Sequence, residues 1–176
     1  MNFDRITDAP HPMYQKALEL YRISFPQHEQ REAFSQERIL SDGEYHFDLI
    51  YDGADFVGLI LYWETGDFLY IEHFCIRPEA RNHGYGEAAL NLMKEKKKTL
   101  ILEIDPPADP VAERRKGFYE RCGFVENPYP HVHPPYHPEN AGHALVVMTY
   151  PGVISEEEYH NFAEHLGRRV MFEVFR

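Results

Sequence analysis

Ile71-Glu72-His73-Phe74-Cys75-Ile76-Arg77-Pro78-Glu79-Ala80-Arg81-Asn82-His83-Gly84-Tyr85-Gly86 reads as a strand that runs into a turn and opens a helix. The helix is legible because Tyr85, Ala88, Ala89, Leu92 and Met93 follow the i, i+3, i+4, i+7, i+8 spacing of a buried stripe. Lys94, Lys96, Lys97 and Lys98 crowd its end, where positive charge complements the helix dipole. The first turn of a helix has N–H groups without intrahelical partners, and these form an anion site. Gly84 and Gly86 let backbone approach a bulky anion such as a pyrophosphate, and Arg81 adds a fixed charge. The segment fits neither common phosphate motif. The sixth place of a G-x-G-x-x-G is Ala89, and no G-x-x-x-x-G-K-Ser/Thr occurs. An ordinary strand–turn–helix junction is the plain alternative.

Upstream, Tyr45–Tyr51, Phe56–Trp63 and Phe68–Ile76 are rich in aromatic and β-branched residues and are separated by Asp52-Gly53 and Thr65-Gly66-Asp67. Such runs and turns predict three consecutive strands joined by hairpins. Before them, Met13–Phe25 and Glu29–Leu40 read as helices, the first ended by Pro26 and the second by Asp42-Gly43. Downstream, Thr99–Ile104 predicts a buried strand. Val111, Arg115, Phe118, Tyr119 and Cys122 mark one face of a helix with Gly123 at its C-terminal cap. Residues 144–150 predict another strand. Ser155 with Glu158 is a capping box for a last helix, and Val170–Phe175 reads as an edge strand or an extended tail. The order is ααβββαβαβ and a tail, an α/β or α+β domain.

At 176 residues the chain fits one domain of roughly 150 residues plus an appendage, so residues 151–176 read as part of a single 1–176 domain. The net charge of −11 argues against nucleic acid, whose phosphates it would repel, and favours a cationic substrate such as an amine. Cys75 and Cys122 are too few for a disulfide scaffold. Neither a signal-like N-terminus nor an apolar run of ~18 residues occurs, so the sequence predicts a cytoplasmic protein with no membrane partner.

Arg81-x-x-Gly84-x-Gly86 resembles the Gln/Arg-x-x-Gly-x-Gly/Ala signature of the GNAT superfamily of acyl-CoA-dependent N-acyltransferases. The residues before it resemble that family's fourth strand, and Gly117-Phe118-Tyr119-Glu120-Arg121-Cys122-Gly123-Phe124 resembles the end of its helix after the fifth strand. The likeness runs over residues 3–150. It implies a mixed, mostly antiparallel central sheet flanked by helices, with acetyl-CoA as co-substrate in a gap between the fourth and fifth strands. The pantetheine arm would pair with Phe74, Cys75 and Ile76. The pyrophosphate would sit on the N–H groups of Asn82, His83, Gly84, Tyr85, Gly86 and Glu87, with Arg81 nearby. An Asn that many members carry seven residues before the Tyr is Ala112 here.

Direct attack by an amine then needs a base, because only the free amine is nucleophilic. It needs an oxyanion donor, which a backbone N–H of that strand would supply. It also needs an acid for the leaving thiolate, a position that Tyr119 matches. Glu72 is the first candidate for the base, since a lone carboxylate in an apolar strand is costly to bury unless it is paired or used. Strand alternation puts Tyr70, Glu72, Phe74 and Ile76 on one face and Ile71, His73 and Cys75 on the other. His73 is then the alternative base, and a water relay is the third.

The rival readings are a non-catalytic acyl-CoA-binding domain and a metal protein. His131-x-His133-x-x-x-His137 and His143 cluster among prolines, and the spacing from His133 to Glu139 does not fit the cupin motif it is similar to. No metal is expected, and the 127–143 stretch reads as a polar loop that walls the acceptor site. The acceptor would be a small-molecule or peptide amine: a polyamine, an aminoglycoside or a protein amine. The sequence is compatible with a homodimer.

Overall fold

A computed structural model describes residues 1–172 and residue 174. The strands are β1 (Asn2–Ile6), β2 (Tyr45–Asp52), β3 (Asp55–Glu64), β4 (Phe68–Ile76), β5 (Thr99–Ile104), β6 (Val125–Glu126), β7 (His131–His133) and β8 (His143–Tyr150). The helices are α1 (Tyr14–Ser24), α2 (Ala33–Ile39), α3 (Tyr85–Lys94), α4 (Pro110–Arg121) and α5 (Glu156–His165). The sheet runs β1-β2-β3-β4-β5-β8-β6, with β7 on β8, and every pairing is antiparallel except β4–β5.

The sheet divides two apolar cores. Ala17, Leu20 and Tyr21 of α1 and Phe162 of α5 pack on Phe47, Leu59, Trp63 and Tyr70. Ala89, Leu90 and Met93 of α3 and Tyr119 of α4 pack on Ile60, Ile71, Leu100 and Leu102 across the sheet. Helices on both faces explain why Leu59–Trp63 is buried at every position rather than at alternate ones.

The mixed, mostly antiparallel architecture is the one the sequence predicts, with several differences. Two short strands, β6 and β7, form where none was expected, and β7 lies within the 127–143 stretch read as a polar loop, because His131 and His133 turn inward and are buried there. The short strand β1 precedes the first helix. It is an edge strand with only Ile6 fully buried, so it carries no strong period, and it makes Phe68–Ile76 the fourth strand in the chain. The expected Glu29–Leu40 helix is a 3-10 turn at Gln27–Glu29 followed by α2, because Arg31 is drawn into the core between them: its N–H donates to Tyr21 Oη at 2.9 Å and its guanidinium reaches Glu72. The expected Val170–Phe175 strand does not form over its described residues. Leu166–Val170 is a single π-helical turn, and positions 173 and 175 lie outside those described.

Local signals held where they were strongest. Ser155 and Glu158 make both bonds of the capping box. Gly123 has φ +85°, the left-handed cap conformation that suits glycine.

Candidate active site

The β4–β5 ladder has four pairs, from Phe68–Thr99 to Ile71–Leu102, and stops there. Beyond Ile71 the strands part, and β4 continues to Ile76 paired only with β3. Glu72 shows what this leaves open: the residue is half-buried while its side chain is 1% exposed, so its exposure is main chain.

A cleft of about 690 Å³ occupies the gap. Its walls are residues 70–75 of β4, Leu102–Asp105, Arg81, Arg115, Tyr119, His133–Tyr136, residues 140–145 and the Ser24–Glu29 segment. Of the expected site residues, Glu72, Phe74, Cys75, Arg81 and Tyr119 line this one space. Ile76 and residues 82–87 continue from the end of β4 into the turn.

That turn has the geometry of an anion cradle. Asn82 and Gly84 take left-handed backbone, φ 64° and 79°, and Gly84 is the N-cap of α3 without a side-chain cap. The first bond of the helix runs from Ala88 N–H to Gly84 O, so earlier N–H groups project from its start. Arg81 Nε donates to Ile76 O at 3.2 Å and joins the turn to β4. A Cβ on Gly86 would meet Phe118 Cζ at 3.1 Å, so this glycine also allows α3 and α4 to approach. Tyr119, the next residue, faces the cleft. Burial pushes its phenol up to about 12, and burial pushes the thiol of Cys75 up to about 11.

The expected separation of Glu72 from His73 is overturned. Leu61 pairs with His73 and Tyr62 with Ile71, so Glu72 is the extra residue of a β-bulge. The bulge interrupts the alternation, and Glu72 and His73 both point to the face that carries α1. Phe74 and Ile76 pack with the opposite core.

Glu72 is fully engaged there. Oε1 accepts from Arg31 Nη2 at 2.9 Å and Tyr136 Oη at 2.8 Å, and Oε2 accepts from Trp63 Nε1 at 2.8 Å. Burial alone would raise its carboxyl, but the Arg31 guanidinium and the bonds from Trp63 and Tyr136 outweigh burial and hold it at about 2. His73 Nε2 lies 2.8 Å from Glu29 O, an acceptor, so Nε2 carries the proton and Nδ1 is a buried lone pair without a partner. Burial lowers the pKa of His73, with the Arg31 charge adding to the effect.

A second buried carboxylate, Glu103 of β5, faces this network. His131 Nε2 donates to its Oε1 and Tyr70 Oη to its Oε2. Burial raises its carboxyl, and His133, His131 and Tyr70 more than offset that, so it stays ionised. His133 Nε2 lies 3.8 Å from Oε2. Its Nδ1 donates to Pro134 O at 2.6 Å, and its Nε2 is buried without a hydrogen-bond partner. Tyr136 lies between the two free imidazole edges, 5.0 Å from His133 and 5.8 Å from His73 between ring centroids.

Glu103 was legible in principle: it is the one charge in Thr99–Ile104, and the argument applied to Glu72 applies to it equally. Arg31 and His133 carried no such signal, since each is partnered across thirty or more residues of chain. The remaining histidines of the rival metal reading disperse. His137 binds Glu32 Oε1 at 2.8 Å and Gln27 O at 2.9 Å, and His143 approaches Asp105. Among the described residues, no helix is long and apolar enough to cross a membrane.

Comparison with known proteins agrees with this geometry. YjbC of Bacillus subtilis (strain 168), named as an acetyltransferase, is 27% identical over 104 residues, 57% of this chain; the match spans about half of that protein, 52%. A protein from Bacteroides thetaiotaomicron, described as an acetyltransferase of the GNAT family, superposes with a TM-score of 0.91 at 31% identity, covering 97% of this chain and 98% of the other. An aminoglycoside 6'-N-acetyltransferase complexed with coenzyme A shares the fold at 17% identity and a TM-score of 0.60, covering 85% and 96%. The sequence profile described as "Acetyltransferase (GNAT) family" matches residues 11–124. With its parted strands and glycine turn, this chain belongs to the GNAT acetyltransferase family.

Proposed function

We propose that the chain moves an acetyl group from acetyl-CoA to a primary amine by direct attack on the thioester. The observation that carries this is the early end of the β4–β5 ladder beside Tyr119 and the capless start of α3. The free edge of Phe74, Cys75 and Ile76 suits a pantetheine arm added as a strand. The N–H groups from Asn82 to Glu87, with Arg81, suit the pyrophosphate.

The new N–C bond forms as the C–S bond breaks. The oxyanion is held by a β4 backbone N–H, and the thiolate takes the proton of Tyr119. A phenol at about 12 is a weak acid. Burial raises the Cys75 thiol that lines the same cleft, and a thiolate left there would be made more basic in the same direction.

For the base, Glu72 is poorly suited: every bond it makes stabilises its charge, and at about 2 it has little affinity for a proton. We assign it to positioning, holding Arg31, Trp63 and Tyr136 around the acceptor. His133 fits better. Its tautomer leaves Nε2 free, and Glu103 at 3.8 Å would stabilise the imidazolium. The buried carboxylates and the acidic chain favour a cationic acceptor, a small-molecule or peptide amine. We read the protein as one cytoplasmic unit, which its two buried free thiols support.

The test is release of free CoA from acetyl-CoA with a panel of polyamines, aminoglycosides and peptide amines. Turnover with at least one is expected. Stabilisation by acetyl-CoA with no turnover across the panel would favour the binding-domain alternative.

A further inference from the structure

Outside the thioester gap, a second group of ligand-bearing side chains meets at the mouth of the cleft. His28 and Glu29 come from the 3-10 turn after α1, and His143 is the first residue of β8. One ligand atom from each lies within 4.8 Å of the other two. His28 Nε2 is 3.6 Å from Glu29 Oε1, and the two imidazole centroids are 5.8 Å apart. Asp105, just beyond β5, brings Oδ1 to 3.4 Å from His143 Nε2, while its Oδ2 is taken by Arg115 at 2.7 Å.

The donor set is two imidazole nitrogens and one or two carboxylate oxygens. That set suits zinc and its neighbours, whereas magnesium and calcium take oxygen ligands. Zinc–ligand bonds of ~2.0–2.2 Å place tetrahedral donors roughly 3.4 Å apart, so the group has to contract a little. His28 is exposed and the other donors are half-buried at the rim, so side-chain rotation can supply that contraction.

We propose that His28, Glu29 and His143, with Asp105 as a fourth donor, bind one zinc-class divalent ion that ties the Gln27–Glu29 turn to the start of β8 and narrows the entrance of the cleft. The ion is a regulator and not a cofactor, since it touches no reacting atom. Its effect on acceptor entry rests on the transferase function proposed above; the binding and the tie do not.

Calorimetric titration of the whole chain with zinc chloride, without acetyl-CoA, is expected to show one equivalent bound. His28→Ala and His143→Ala should each weaken binding at least tenfold. His160→Ala, exposed on α5, should leave it unchanged, and magnesium should give no heat. Zinc binding undiminished in the His28→Ala/His143→Ala double variant would overturn the site. Hydrogen exchange reads the tie independently of catalysis: zinc should protect amides near residues 26–30 and 143–146 in the parent chain but not in the double variant, and equal exchange in both would refute the tie. In turnover assays zinc should raise KM for the amine and leave KM for acetyl-CoA unchanged, with EDTA restoring the parent rate. Zinc bound by a chain that transfers no acetyl group would count against the transferase function and leave the metal site standing.

Discussion

At Tyr119 one hydroxyl separates a buried ring from a proton donor. Tyr119→Phe keeps the packing against Phe124 and Phe118 and removes only the acid. A positioned acid contributes ~10²–10⁴-fold, so kcat should fall by about that factor while KM for acetyl-CoA holds. Stability should drop by no more than about 1.5 kcal/mol. Steady-state kinetics with the best acceptor decides it, and a kcat within twofold of the parent would mean that water protonates the thiolate. His133→Gln tests the base. It should lower kcat by roughly 10²-fold or more. Glu72→Gln should lower kcat far less if Glu72 only positions its neighbours; a loss as large as that of His133→Gln would return the base to Glu72.

At the scale of the element, the β4 bulge and the α3 turn set the geometry. The bulge brings Glu72 and His73, consecutive residues, to one face of the sheet. Gly84 sits at φ +79° with open space around it, so a larger residue there strains the backbone rather than clashing. Gly84→Val should therefore distort the α3 cap and spoil the row of N–H groups at its start. Acetyl-CoA at a hundred times its Kd stabilises a site by about 2.7 kcal/mol. Melting curves should show that gain in the parent chain and lose most of it in the variant. A parent chain whose Tm ignores millimolar acetyl-CoA would refute the cofactor assignment.

Over the whole molecule, two buried carboxylates tie distant segments together. Glu72 joins α2's leader, β3 and the 134–136 loop, and Glu103 joins β5 to β7. Both have pKa values below the ~4.3 of an unfolded Glu. A depressed carboxyl contributes stability that is complete above its unfolded pKa and is lost as pH falls through its folded pKa. Urea unfolding should therefore weaken progressively from about pH 4.5 down to about pH 2. Glu72→Gln leaves Arg31 buried and unpaired, at a cost of roughly 3–5 kcal/mol, which corresponds to a fall in Tm of roughly 6–20 °C for a chain of this size. A flat stability profile below pH 4.5 in the parent chain would contradict the ionised assignments of both residues.

Local chemistry decided what the sequence could disclose by itself. The strand–glycine turn–helix from Ile71 to Met93, the three hairpin strands, the capping box at Ser155 and the family resemblance carried by Arg81, Gly84, Gly86 and Tyr119 depend on residues a few places apart, whose spacing is written in the chain. The weakly patterned β1 and the break before α2 were not legible, because β-pairing and the burial of Arg31 are settled by partners far along the chain. The face on which Glu72 lies depended on one extra residue in a ladder with β3, and strand period alone predicts the opposite face. The pairing of Glu103 with His131 and His133 exists only once β5 and β7 both pair with β8, and the meeting of His28 and Glu29 with His143 only once the turn after α1 lies against the start of β8. Tertiary structure decided these because a hydrogen bond or a metal ligand requires ångström proximity, and sequence separation does not encode distance across a sheet.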